Sequence, residues 1–447
     1  MTLFDRAALA HLDRALARLE TGFRDLPPAA TPDDPRIAAV LDEVADRLHD
    51  NFPYPHPLYA GQMLTPPHRM ARLAYMLALH LNPNNHALDG GRASSRMERE
   101  SVATLATLLG WTEHLGHLTS GGTMANLEAL WVAGQCRPGE RIVASAQAHY
   151  THQRISAVLG LPFSTVAADR AGRMDLEALR ALLDTGPVGT VVATLGTTAV
   201  GAVDPLPGLL ALQHEAGFRI HVDAAYGGYF GLADNLAPAA RAAFDVIGAA
   251  DSVVIDPHKH GLQPYGCGAV LFRDPSVGRF YRHDSPYTYF SSAELHLGEI
   301  SLECSRAGAA AVALWATQRL LPPVPGGEFA GRLATSRAAA LALHGRLAAD
   351  SRVLAGLVPE LDIVVWTPRA AGVAAASARS RRIFEEAARR DLHLALAELP
   401  PDLVDPAGEL VRDRPTLTCL RSVLMKPEHL AWLPALWERL SAATDAT

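Results

Sequence analysis

From about residue 60 to 320 the chain alternates short β-branched runs with helical segments, and this alternation constrains the fold most. The runs are Thr190–Thr194, Arg219–Val222, Ser252–Ile255 and Ala269–Phe272, and helical patterns occupy Met124–Gln135, Asp175–Leu183 and Pro207–Ala216. Runs that are apolar throughout belong to strands buried on both faces, as in a mainly parallel sheet covered by helices. The expected fold class is α/β. Leu321-Pro322-Pro323-Val324-Pro325-Gly326-Gly327 breaks the pattern and reads as a domain boundary. The expected organisation is a packing segment at 1–60, a large domain at 61–321 and a smaller α+β domain at 328–447. The small domain carries a strand-like Leu361–Thr367, an Ala/Arg-rich helix near 376–390 and a last strand near Leu417–Met425. The first segment reads as an amphipathic helix followed by a proline-rich stretch, Asn51 to Pro57, too apolar for a free tail.

Composition narrows the function classes. The 447 residues carry a net charge of -7 and no basic stretch, so neither nucleic acid nor an anionic membrane surface is an expected partner. Asp5, Arg6, Asp13 and Arg14 interrupt every apolar run at the N-terminus, and no uncharged run is long enough to cross a bilayer. Neither a secretory signal nor a membrane span is expected. The four cysteines, Cys136, Cys267, Cys304 and Cys419, are scattered without a C-x-x-C, which favours a reducing cytoplasm over a disulfide framework or a metal site.

The chain has two lysines, Lys259 and Lys426, against 38 arginines. Where charge alone is needed, arginine serves; a retained lysine points to an amine that loses its proton and attacks a carbonyl. Three features precede Lys259, each at a predicted strand end or helix start, where ligands collect in such sheets. In Leu118-Thr119-Ser120-Gly121-Gly122-Thr123, small residues before a helix expose backbone N–H groups at its positive end, forming a phosphate cup or an ordinary N-cap. In His221-Val222-Asp223-Ala224-Ala225, an acid ends an apolar strand. Asp223 there can hold a protonated ring nitrogen, a metal or a sugar hydroxyl, or it can cap the next helix. His149, in Ala148-His149-Tyr150, can stack on a flat ligand, carry a proton or fill a structural role. Together, an amine, a phosphate cup, an acid and a planar imidazole are the parts that hold pyridoxal 5'-phosphate (PLP).

The chain resembles the PLP-dependent group II amino-acid decarboxylases, which include aromatic amino-acid, glutamate, aspartate and tyrosine decarboxylases. The resemblance rests on Thr119-Ser120-Gly121-Gly122-Thr123-Met124-Ala125-Asn126, Ala148-His149-Tyr150, Gly196-Thr197-Thr198 with Gly201-Ala202-Val203-Asp204-Pro205, His221 to Tyr226, and Asp256-Pro257-His258-Lys259. It runs from roughly residue 50 to residue 430. It implies the fold type I transferase-like architecture, in a homodimer with active sites shared at the subunit interface. It implies that Lys259 forms an imine with the cofactor and that Gly122 and Thr123, aided by His258, bind its phosphate. His149 would stack on the ring, Ala225 would pack on the other face, Asp223 would pair with the ring nitrogen, and Thr198 would lie near the phenolic oxygen. Asn82-Pro83-Asn84-Asn85 matches a segment near the substrate entrance, and Arg421 matches an arginine that engages the substrate carboxylate. The implied reaction is decarboxylation of an L-amino acid to an amine.

Two departures stand out. The loop after the lysine, Ser291 to Glu299, lacks the tyrosine with which the family delivers a proton to the substrate Cα; Tyr287 and Tyr289 precede it and His296 lies within it. His296 is therefore the candidate acid, with a solvated loop residue as the plainer reading. Loss of that tyrosine opens a second outcome on the same scaffold, oxidative deamination to an aldehyde, beside a C–C or C–S lyase. His260 stands where the family often has an apolar or aromatic residue.

Overall fold

The computed structural model describes residues 5–27, 33–282 and 295–447. Seven strands build the main sheet: β1 (Leu115–Thr119), β2 (Arg141–Ser145), β3 (Phe163–Val166), β4 (Val188–Thr194), β5 (Arg219–Asp223), β6 (Ser252–Ile255) and β7 (Gly268–Phe272). Their order is β1-β7-β6-β5-β4-β2-β3, and only β7 runs against the rest. Every residue of β4, β6 and β7 is buried, so these strands have no polar face to alternate. Val191, Ile220, Val253 and Leu271 form the core around this sheet.

Because β1, β2, β4, β5 and β6 run the same way, the segments that leave them emerge at one edge. Those segments are 120–124, 146–149, 195–198, 224–226 and 256–259, and they contain the motifs singled out above.

The second sheet has four antiparallel strands, β8 (Val353–Leu354), β9 (Ile363–Pro368), β10 (Ala395–Leu399) and β11 (Leu417–Val423), in the order β10-β11-β9-β8. Helices Glu328–Ala348, Val373–Ala388 and Glu428–Asp445 pack around it through Leu343, Trp366, Ile383, Leu420 and Leu436. The last of these helices was not expected, and the last strand stops at Val423.

The N-terminal segment differs from the single helix expected. It forms two, Leu9–Glu20 and Arg36–Leu48. The proline-rich stretch after them packs as expected: Phe52 meets His393 at 5.0 Å between ring centroids, and His56 meets Trp432 at 4.8 Å. Among the described residues no helix is long and apolar enough to cross a membrane.

Candidate active site

The edge segments enclose a cavity of about 310 Å³, within the size range of small-ligand pockets. Gly122, Thr123, His149, Thr198, Asp223, Ala225, His258 and Lys259 all line it.

The cup comes first. The helix Gly122–Cys136 starts two residues earlier than the sequence suggested, so Gly122 and Thr123 form its first turn, where amide N–H groups are unspent. A Cβ on Gly122 would lie 2.6 Å from Asp256 Oδ2, so this turn admits no side chain there. The turn is tied back to the sheet: Asn126 Nδ2 donates to the Gly122 carbonyl at 2.8 Å, and His221 Nε2 meets Asn126 Oδ1 at 2.8 Å.

Lys259 lies in the turn after β6. Its Nζ sits 3.1 Å from Asp256 Oδ2, and its backbone N–H donates to the Asp256 carbonyl at 2.9 Å. Asp256 is buried, and its Oδ1 has no partner among the described residues. His258 Nδ1–H donates to the Cys267 carbonyl at 2.9 Å, and burial pushes its pKa down.

Asp223 ends β5. Its Oδ1 accepts from the Ala225 N–H at 3.1 Å, and its Oδ2 from His152 Nε2–H at 2.9 Å. Burial alone would raise this carboxyl. The hydrogen bond and charge of His152, with the charge of Lys259, outweigh it and hold Asp223 below the usual carboxylate range. His149 is driven the other way: burial holds its imidazole below its ordinary value and therefore neutral near pH 7. The Thr151 N–H, which can only donate, points at His149 Nδ1 at 3.4 Å, with Thr151 Oγ1 at 2.7 Å. The neutral ring thus carries its hydrogen on Nε2.

The donor set fits PLP. The amine, the ionised acid, the neutral imidazole and the amide cup share one cavity. Thr194 Oγ1, on its wall, and Asp256 Oδ1 are buried polar atoms without partners among the described residues. Lys259, Asp223, His149 and the Gly122–Thr123 amides would hold the cofactor.

Arg421, on β11, lies at the back of this edge. Its Nη2–H donates to the Thr198 carbonyl at 2.7 Å, burial lowers its pKa, and its Nε has no partner among the described residues. Two other expected residues stand outside the cavity in this chain. Asn85 is buried, donating to Glu98 Oε2 at 2.6 Å and accepting from Ser94 Oγ at 2.5 Å. His296 is neither solvated nor at the cavity: it is 1% exposed, and its Nδ1 accepts from the Leu88 N–H at 3.1 Å. Its own N–H donates to Glu299 Oε2 at 3.0 Å, capping the short turn Leu297–Glu299. Tyr287, Tyr289 and Ser291 to Glu294 lie outside the described residues.

His260 has a packing role. Its Nδ1–H donates to the Tyr226 carbonyl at 3.0 Å, and its Nε2 meets Asp362 Oδ2 at 2.8 Å. Tyr226 O–H donates to Asp362 Oδ1 at 2.5 Å, so this buried trio joins the chain after Lys259 to the start of β9. The sequence reading missed His152, Asp256 and Asp362. Two had a local signal: His152 lies three residues after His149, and Asp256 opens the quoted Asp256-Pro257-His258-Lys259 motif, three residues before the lysine.

Comparison with known proteins points to the same cofactor class. Residues 139–322 match the pyridoxal-dependent decarboxylase conserved domain. The L-tyrosine decarboxylase of Enterococcus faecium is 29% identical, over 63% of this chain and 63% of that one. The chain thus spans less than two thirds of that relative. A probable L-tyrosine/L-aspartate decarboxylase of Methanothermobacter thermautotrophicus is 31% identical, over 58% of this chain and 70% of its own length. The crystal structure of mouse CSAD superposes with a TM-score of 0.78 at 22% identity, covering 96% of this chain and 92% of that one, which shows the shared fold. With its fold type I architecture and its PLP-shaped site, the chain belongs to the pyridoxal-dependent decarboxylases, the group II amino-acid decarboxylase family.

Proposed function

We propose that this protein is a carboxy-lyase that removes the α-carboxylate of an L-amino acid as carbon dioxide and releases the amine. The observation that carries the reading is the convergence of Lys259, Asp223, His149 and the Gly122–Thr123 turn on one cavity. An aromatic or small acidic amino acid is the proposed substrate, supported by relatives named for tyrosine and aspartate.

When bound, PLP supplies an electron sink for the bond that breaks at the substrate Cα. Lys259 is the amine that would anchor it. Asp223, ionised, would hold a proton-bearing ring nitrogen, and His149 would offer a neutral flat face. Arg421 is the proposed guide for the substrate carboxylate, supported by its resemblance-matched position and by its Nη2 bond to the carbonyl of Thr198, a residue of the cavity wall. The orientation these residues give the substrate would select which bond breaks. His296 and Asn85 are left out of this machinery because their side chains are engaged elsewhere.

The working unit is a homodimer in the cytoplasm. Ile37, Val40, Leu41, Val44 and Leu48 line one side of the helix Arg36–Leu48, which buries none of its residues within the chain. Such a stripe calls for a partner, here a second copy. Leu41→Glu with Val44→Glu is expected to give monomers in light scattering; a variant that stays dimeric at micromolar concentration would remove the stripe from the interface. Four free cysteines suit the reducing compartment.

The test of the reaction uses PLP-loaded protein with single L-amino acids in air, products identified by mass spectrometry, and Lys259→Ala as control. An amine from one substrate, lost in the variant, supports the proposal. An aldehyde with ammonia and peroxide would show that the stored electrons go to dioxygen. No product from any amino acid would sink the decarboxylase reading.

A further inference from the structure

Asp223 has a partner that the reaction above does not use. His152 lies in the first turn of the helix Thr151–Leu159, three residues after His149, so one turn delivers two imidazoles to the site. His152 is 1% exposed. Its Nε2 contacts Asp223 Oδ2 at 2.9 Å, and its Nδ1 has no partner among the described residues. The imidazole of His221 meets it edge-on at 6.4 Å between centroids. Among the described residues, the bond to Asp223 is therefore its single hydrogen bond. A buried imidazole with one nitrogen left unsatisfied is costly, and a phenyl ring in that place would carry no such penalty.

The return lies in the carboxylate. Asp223 Oδ1 is held by the Ala225 N–H at 3.1 Å, so the two contacts fix the plane of the group by one bond to each oxygen. An ionised carboxylate accepts about four hydrogen bonds, so capacity remains for a ligand in the cavity. We propose that His152 is a positioning residue: its Nε2–H locks the orientation of Asp223 and keeps it ionised, so that the acid meets the pyridine ring of PLP already aligned. The inference rests on the cofactor reading and deepens it by giving the acid a dedicated donor.

His152→Phe removes the donor and keeps a planar ring; His152→Gln restores an N–H at similar reach. PLP is titrated into the apo form of each and of the wild type, following the absorbance band of bound cofactor, and kcat and KM are then measured on the amino acid the wild type accepts. The expected result is at least tenfold weaker PLP binding and a displaced band in His152→Phe, lower kcat at unchanged KM, and recovery of most of each in His152→Gln. A phenylalanine variant that titrates with wild-type affinity and band position would overturn the proposal. Equal impairment of the glutamine variant would also overturn it, because ring shape and not donation would then be what Asp223 needs. Should phenylalanine prevent folding, His152→Leu enters the same comparison. A wild type that develops no band with PLP would instead defeat the cofactor reading itself, and the two failures are distinct.

Discussion

Asp223 and Asp362 are both buried carboxylates held by a histidine, at 2.9 Å from His152 and 2.8 Å from His260. Each takes one further hydrogen bond on its other oxygen, Asp223 from the Ala225 amide and Asp362 from the Tyr226 hydroxyl. What differs is the space beside them. Asp362 is 0% exposed and closed in by its partners. Asp223 lies on the wall of the cavity that contains Lys259. The closed pair joins two sheets, because His260 follows Lys259 in the chain and Asp362 precedes β9. The open pair leaves acceptor capacity on a wall where a ligand fits. Tyr226 separates the two, lining the cavity while its hydroxyl is committed to Asp362. A buried acid–imidazole pair therefore does not by itself mark a catalytic group; unspent bonding capacity facing a cavity does.

Isosteric amides at the two acids would break this comparison most directly. Asp223→Asn keeps volume and leaves an oxygen for one donor, yet removes the charge that a protonated ring nitrogen requires. Activity of the protein that remains folded is expected to fall on the order of 10²–10³-fold, the scale of losing one preorganised electrostatic contact, whatever the urea midpoint loses with the bond to His152. Asp362→Asn is expected to cost stability without that loss of activity in the folded protein. Disrupting a buried pair by altering one partner costs about 3–5 kcal/mol, read as a lower urea midpoint, while protein that remains folded still develops the band of bound PLP. If both variants lost activity alike with equal stability, the open and closed pairs would not be different kinds of site.

Much of the open site was legible because parallel strands must be apolar runs, and the chemistry sits where each run ends. Asp223 ends β5, Lys259 follows β6, and His149 and Thr123 follow β2 and β1; parallel order then brings them to one edge. The closed pair was not legible. His260 and Asp362 are 102 residues apart, and nothing local in either predicts the contact. The same holds for His152, 71 residues before Asp223. His296 misled because a polar residue in a loop reads as solvated, whereas this one caps a turn packed against Leu88. The break between the two N-terminal helices was legible and overlooked, since Gly22, Pro27, Pro28, Pro32 and Pro35 stand between them. The helix Glu428–Asp445 does carry its own signal, with Leu433, Leu436 and Leu440 at helical spacing.

The smallest expected effect is a proton signature that each region shares. His221, two residues before Asp223, is enclosed between Ser252 Oγ at 2.9 Å and Asn126 Oδ1 at 2.8 Å, and burial pushes its pKa down to about 3. On the Asp362 side, burial and then the charge of Lys426 push His429 down to about 4. Both would titrate near 6.5 in the unfolded chain. Between these values the unfolded state binds more protons than the folded one, so stability rises with pH there. The contribution is whole above pH 6.5 and drains as pH falls toward the folded values. At pH 5 each histidine accounts for a loss of about 2 kcal/mol. Urea unfolding at pH 7 and pH 5 measures it. His429→Gln cannot take up that proton, so the drop between the two pH values should shrink by about 2 kcal/mol, even if the variant is less stable at both. A drop of unchanged size would mean that His429 does not stay neutral in the folded protein, and that the closed region lacks the proton penalty ascribed to it.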